Sequence, residues 1–390
     1  MSVKRILIAA SMNGGAEAVA PVAKRLREQW REVDVISFKA ATDSFKSLGV
    51  EPDIILEKAD ATRVAKLFSD RNYSAILTGT QGQSKDQPIT LEQILWQIGK
   101  NHPWLTTIAV MDTWGNERER FSDLNFEGAN PLRIKNPLVH LPYRITVIDE
   151  YQFKTMQKLG FDPEILIVVG NPYFEMVREN FSKLSPSTRQ ELLAKPRFSK
   201  FNQNGKLIVY MSDNYDGDLG FTEKSVMESF LRKLDAVAEK TGMAINVIVR
   251  PHPFRGADAK DAFDSIETPY LVKELHNPVT AKGSDPANNY SMEQLLASAD
   301  LVVGTCNNPL VTAMIIGKRV LNYMPNLNPK YDYHENLANA GLTTRITAEG
   351  ALEGAISDLL EGKIVPKAMK TIEGSTQRVI ELIDRTMRWQ

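Results

Sequence analysis

Short aliphatic runs that are apolar on both faces recur along these 390 residues, each followed by a polar turn and an amphipathic segment. Such a strand must be covered on both sides, and helices returning between strands supply the cover. That constraint points to parallel sheets in an α/β fold. Ile6–Ala10 is the first run. Gly14 and Gly15 follow it, and Val19, Val22, Ala23 and Leu26 predict a helix over residues 16–30. Further strands are predicted over 33–38, 75–78, 107–111, 145–148 and 165–169, with helices over 61–70, 91–100 and 151–159 between several of them.

The pattern breaks between Arg178 and Gly205, where Pro186, Pro196 and basic residues collect around one short helix near 188–194. It then restarts. Strands are predicted over 206–211, 245–250, 301–304 and 319–323, and helices over 222–241 with a Thr222 cap, 292–299, 310–316, 348–360 and 371–387. Residues 270–290 read as a long irregular loop. The expectation is one architecture built twice, as two Rossmann-like doubly wound domains facing across a cleft. Residues 1–178 form the first and 206–365 the second, with 179–205 as linker and 366–390 as a terminal helix packing back on the first domain.

Composition narrows the function. Lys and Arg number 47 against 48 Asp and Glu, so a net charge of -1 gives no global attraction to nucleic acid. A single cysteine, Cys306, excludes an intramolecular disulfide framework and a cysteine zinc site. The apolar stretch near the amino terminus is too short for a signal peptide, and no run approaches the ~18 apolar residues of a membrane span. A cytoplasmic protein without a transmembrane segment is expected. The cluster Lys195, Arg197, Lys200 and Lys206 is compatible with peripheral membrane contact, and a solvated linker accounts for it more simply.

In a doubly wound sheet, ligands bind beyond the carboxyl ends of the strands. Four strand ends stand out. Ser11, Asn13, Gly14 and Gly15 form a strand–glycine–helix unit able to hold an anion or a sugar hydroxyl, or simply to let helix and strand pack closely. Asp112 ends the strand before Thr113-Trp114, as a general base, as a helix N-cap or as the ion-pair partner of Arg118 or Arg120. Arg250-Pro251-His252-Pro253 stiffens the backbone around a forked cation and an imidazole, which suits phosphate recognition and acid catalysis; a rigid turn is the alternative. Thr305-Cys306-Asn307-Asn308-Pro309 opens a helix, with Asn308 as the cap and Pro309 in the first turn, either as a diphosphate cradle or merely as a well-capped end. Asp213, Asp216 and Asp218 lack calcium-loop spacing and read as a solvated turn, so no metal site is expected.

These elements together resemble the two-domain glycosyltransferase B fold, which includes nucleotide-sugar glycosyltransferases and the non-hydrolysing UDP-N-acetylglucosamine 2-epimerases. Residues 159–172, with Leu159-Gly160-Phe161-Asp162-Pro163 and Gly170-Asn171-Pro172, are similar to the end of the first domain in those enzymes and in teichoic-acid glycerophosphotransferases. Arg250-Pro251-His252-Pro253 resembles the His-Pro element of those transferases and of bacterial sialyltransferases. Residues 299–318 look like the donor-nucleotide segment.

The resemblance implies that Arg250, Thr305, Asn307, Asn308 and Thr312 lie near a nucleotide donor and its phosphates. It places Asp112 on the acceptor side and gives His252 a role at the leaving group. Many relatives carry a ribose-binding Glu where this chain has Thr312, which leaves the donor base open. The implied activity is metal-independent transfer from a nucleotide-sugar donor, itself a substrate, to a glycan or lipid-linked acceptor. No cofactor or Mg²⁺ is expected. An epimerase or hydrolase on the same fold and a non-catalytic sugar- or nucleotide-binding protein are the alternatives.

Overall fold

The computed structural model describes residues 5–57, 60–126, 133–185, 187–213, 220–251, 263–275, 291–305, 307–328, 335–367 and 373–388. The chain divides into two compact units, one of Met1–Met176 with Lys370–Gln390 and one of Val177–Met369. The first contains β1 (Arg5–Ala10), α1 (Asn13–Glu28), β2 (Val33–Phe38), α2 (Lys39–Ser47), β3 (Ile54–Leu56), α3 (Ala61–Asp70), β4 (Tyr73–Thr78), α4 (Leu91–Asn101) and β5 (Thr106–Val110). A small hairpin of β6 (Asp123–Asn125) and β7 (Arg133–Asn136) follows, then β8 (Arg144–Val147), α5 (Glu150–Lys158), β9 (Leu166–Val168) and α6 (Pro172–Ser182), which runs into the second unit.

The second unit continues with α7 (Thr188–Leu193), β10 (Lys206–Met211), α8 (Glu223–Thr241), β11 (Ile245–Arg250), β12 (Leu271–Leu275), α9 (Met292–Ser298) and β13 (Leu301–Gly304). After these come α10 (Asn308–Ile315), β14 (Val320–Tyr323), α11 (Glu335–Asn339), β15 (Thr344–Ile346) and α12 (Leu352–Leu360). The last helix, α13 (Ser375–Arg388), belongs to the first unit.

Both sheets are wholly parallel. The first runs β3-β2-β1-β4-β5-β8-β9 and the second β12-β11-β10-β13-β14-β15. The chain order reverses between β1 and β4 in one and between β10 and β13 in the other. Alternation along β1 explains the two-sided burial. Ile6, Ile8 and Ala10 pack with α1 and α13, while Leu7 and Ala9 pack with Val64 of α3 and Leu91, Ile94 and Leu95 of α4. Alanines 16, 18, 20 and 23 leave α1 slender enough to lie close on the sheet. In the second unit Ile208 and Tyr210 face α8 and α12, and Leu207 faces the other way.

Several sequence expectations need correction. Helix α1 starts at Asn13, so Gly14 and Gly15 form its first turn and not a loop before it. Residues 271–275, expected inside an irregular loop, form the edge strand β12; its Lys273 and Glu274 break the apolar run that marks inner strands. Residues 188–201 are a packed layer: Leu192, Leu193, Phe198 and Phe201 cover Leu207, Ile248 and Leu295.

Helix α13 fills the first unit's core with Val379, Ile380, Leu382, Ile383 and Met387. Arg31 grips Asp384 through two contacts of 3.0 Å, and Glu175 accepts from the amides of Gly374 and Thr376 at the helix start. Ile383→Ala is expected to lower unfolding free energy by about 2–5 kcal/mol in urea titration, against about 0.5 kcal/mol or less for exposed Glu381→Ala. Equal midpoints for the two variants would remove α13 from the core.

Candidate functional site

The crevice at the first switch point is built on close backbone approach. A Cβ on Gly79, just after β4, would strike the Gly15 Cα, and one on Gly14 would strike Asp112 Oδ2. Glycine at these positions lets the first turn of α1 lie against the ends of β4 and β5. Ser11 is held from beneath: its amide donates to Glu92 Oε1 at 2.8 Å and its hydroxyl to Glu92 Oε2. Glu92 is fully buried on α4, and that burial raises its pKa, opposed by the Ser11 hydrogen bonds.

Asp112 follows β5. Its Oδ1 accepts from Arg120 Nη1 and, at 3.4 Å, from Thr80 Oγ1; Arg120 Nη1 also reaches Thr80 Oγ1 at 2.7 Å and Thr80 O at 2.9 Å. The turn that brings Arg120 back uses Gly115 at φ 99° and Asn116 at φ 54°, and the Gly115 amide donates to Glu117 Oε1 at 2.8 Å. Asn171 Nδ2 donates to Asp112 O at 2.9 Å and Met111 O at 3.3 Å, while its Oδ1 accepts from the Tyr173 amide. Asn171 therefore ties the start of α6 to the backbone that carries Asp112. Trp114 stacks on Phe174 and donates to Asp149, whose carboxyl burial pushes upward.

Glu17, one turn along α1 from Gly14, completes this crevice. Burial first, and then the negative field of Asp112, pushes its pKa up to about 7.

The second switch point has its own polar cluster. Thr305 Oγ1 donates to Asp213 Oδ2 at 2.9 Å, and Asn322 Nδ2 donates to Thr305 O at 2.6 Å. Asn307 is the N-cap of α10: its Oδ1 accepts from the Leu310 amide at 3.3 Å and its Nδ2 donates to Met211 O at 3.2 Å. This corrects the expected cap at Asn308, which with Pro309 lies inside the first turn; Pro309 has no N–H to satisfy. Below them, Tyr210 Oη donates to Glu223 Oε1 at 3.1 Å. Burial lifts the Glu223 carboxyl to about 7, opposed by the Asp213 backbone, Tyr210 and Ser212.

No family model matches the chain, and no curated protein matches it in sequence. Solved structures do match its fold. The UDP-GlcNAc 2-epimerase from Neisseria meningitidis bound to UDP-GlcNAc aligns with TM-score 0.65 at 12% identity, covering 98% of this chain and 100% of that one. The UDP-GlcNAc 2-epimerase from Methanocaldococcus jannaschii aligns at 0.66 and 12%, covering 98% and 99%. MurG from Acinetobacter baumannii aligns at 0.57 and 10%, covering 98% and 99%. The fold is of the glycosyltransferase B type.

Within this glycosyltransferase B fold, Ser11, Asn13, Gly14, Gly15 and Asp112 gather at the first unit's switch point. Thr305 and Asn307 gather at the second, and Thr312 follows one turn after Asn308 on α10. Arg250 ends β11 beside Met292, with its carbonyl taking the Ser212 amide at 2.9 Å. His252, Cys306, Asp216 and Asp218 lie outside the described residues. Sequence reading missed Glu17, Thr80, Glu92 and Glu223. Glu17 carried a signal: it is the one carboxylate among the alanines and valines of residues 16–23.

A folded-state pKa near 7 for Glu17 means that the native chain holds this proton where the unfolded chain, near 4.5, has released it. Stability then falls with rising pH across that window and levels off above it. Glu17→Gln should recover up to about 3 kcal/mol at pH 8, and much less at pH 5, in urea titrations of variant and parent. A pH-independent difference would deny the raised pKa.

Proposed function

We propose that this chain is a metal-independent transferase that moves a sugar or related alcohol unit from a nucleotide-activated donor to an acceptor hydroxyl, in surface polysaccharide or glycoconjugate synthesis. The observation that carries the reading is Asp112. Its Oδ1 is committed to Arg120 and Thr80, while Oδ2, against the glycine turn of α1, has no hydrogen-bond partner among the described residues. In this scheme Asp112 Oδ2 takes the acceptor proton as the hydroxyl attacks the donor carbon. Glu17, with its own proton held near neutrality, is the second proton site in the same crevice.

In the second unit, Arg250 and His252 would stabilise the charge growing on the departing phosphate, and the α10 start at Asn307 and Asn308 would bind it. A nucleotide sugar as donor is supported by the UDP-GlcNAc held by the Neisseria neighbour. The neutral Thr312 puts no carboxylate at the position that binds ribose in many relatives. The acceptor is a glycan or a lipid-linked glycan, and in the latter case the protein would work at a membrane surface.

Epimerisation or hydrolysis of a nucleotide sugar is the second reading. The coupling of Glu17 to Asp112 favours it, since two carboxyls in one crevice can remove and return a proton at carbon.

Calorimetric titration with UDP, CMP, CDP and GDP, with Mg²⁺ or with chelator, separates these readings. One nucleotide should bind selectively and independently of Mg²⁺, and Arg250→Ala should weaken it about tenfold or more. With the matching nucleotide sugar, Asp112→Asn and His252→Ala should keep the fold and lower turnover about 10²–10⁴-fold. Donor consumed without acceptor would give the second reading, and binding without turnover would leave a nucleotide-binding protein. Failure of all four nucleotides to bind would overturn the proposal.

A further inference from the structure

The amino-terminal edge of the first sheet carries a groove of about 230 Å³ lined by Tyr143, Arg144, Ile167, Leu382, Arg385 and Thr386. Arg144 opens β8, whereas the switch-point crevice lies beyond the strands' carboxyl ends, so the groove is at the opposite edge of the sheet. It lies wholly within the first unit, between β8, β9 and the last turns of α13.

Its charge is not offset by the residues that line it. Arg5, Arg27, Arg31, Arg71 and Arg120 of the same unit each pair with a carboxylate. Neither Arg144 nor Arg385 does so among the described residues, and no acidic side chain lines the groove. Arg144 is held in place without being neutralised. Its guanidinium lies 4.0 Å over the Tyr143 ring and donates to Tyr143 O at 2.8 Å and Tyr143 Oη at 3.2 Å. Arg385 spends only its Nε, at 3.3 Å from Glu381 O, which leaves both terminal nitrogens as donors. The carboxyl end of α13 contributes about half a negative charge, which two guanidiniums outweigh. Ile167 and Leu382 add an apolar wall beside the cations.

We propose that this groove binds an organic phosphate, with Arg144 and Arg385 taking the phosphate oxygens and Ile167 and Leu382 taking the apolar group that carries them. Guanidinium forks match phosphate oxygens, and cations from two separate elements suit a head with three terminal oxygens. The site is independent of the proposed transferase reaction.

Calorimetry on the full chain with octyl phosphate below its micelle concentration tests it, alongside inorganic phosphate, octanoate and octyl glucoside. Octyl phosphate should bind at least tenfold more tightly than each of the other three, and saturating UDP should not displace it. Arg144→Gln with Arg385→Gln should weaken it at least tenfold while the urea midpoint stays unchanged. If the double variant does not fold, each single variant should weaken binding at least threefold. Absence of octyl phosphate binding, unchanged affinity in the variants, equal binding of octyl glucoside, octanoate or inorganic phosphate, or displacement by UDP would each overturn the proposal.

Discussion

Two glycines meet backbone to backbone where the first sheet reverses its winding. Gly15 and Gly79 leave no room for a Cβ between the first turn of α1 and the end of β4, and Gly14 leaves none between that turn and Asp112. Everything in the first unit's crevice follows from this approach. It brings the α1 amino terminus level with the strand ends, sets Asp112 Oδ2 over the helix turn, and carries Glu17 into the field of Asp112. Ser11, anchored to buried Glu92, fixes the chain on its way into the turn. A Cβ at Gly79 would push the first turn of α1 off the end of β4, and one at Gly14 would displace the Asp112 carboxylate.

The doubly wound architecture was legible because parallel strands covered on both faces leave an aliphatic run that no other element needs. Ile6–Ala10 and Leu207–Met211 carry that mark, while β12 does not: an edge strand has one neighbour, and Lys273 and Glu274 are admissible there. The Arg120 partnership of Asp112 was within reach of sequence, as one of two arginines named beside it. Thr80 was not, because its contact joins the ends of β4 and β5 across the sheet. Glu92 and Glu223 are fully or almost fully buried acids near helix starts, and sequence alone reads such residues as exposed first-turn carboxylates.

The two units repeat more than a strand order. In each, the helix after the first strand carries a carboxyl that burial holds near 7, Glu17 on α1 and Glu223 on α8. Their surroundings differ. Glu223 is tied to Tyr210 and forms part of a hydrogen-bonded floor, whereas Glu17 makes no hydrogen bond among the described residues and senses Asp112 through space. The two carboxyls also differ in place, since Glu223 opens α8 and Glu17 lies one turn into α1.

Helix α13 belongs to the first unit but is the last described element of the chain. During synthesis the ribosome delivers β1 through β9 first, yet Val379, Ile380 and Ile383 arrive only after the whole second unit has been made. The first sheet must wait with only α1 and its neighbours covering the face of Ile6 and Ile8, and without the share that α13 supplies, while residues 177–369 emerge. Closing that long loop is the final step of assembly, so the nascent first unit is the stage at which chaperone capture or aggregation has its longest opportunity.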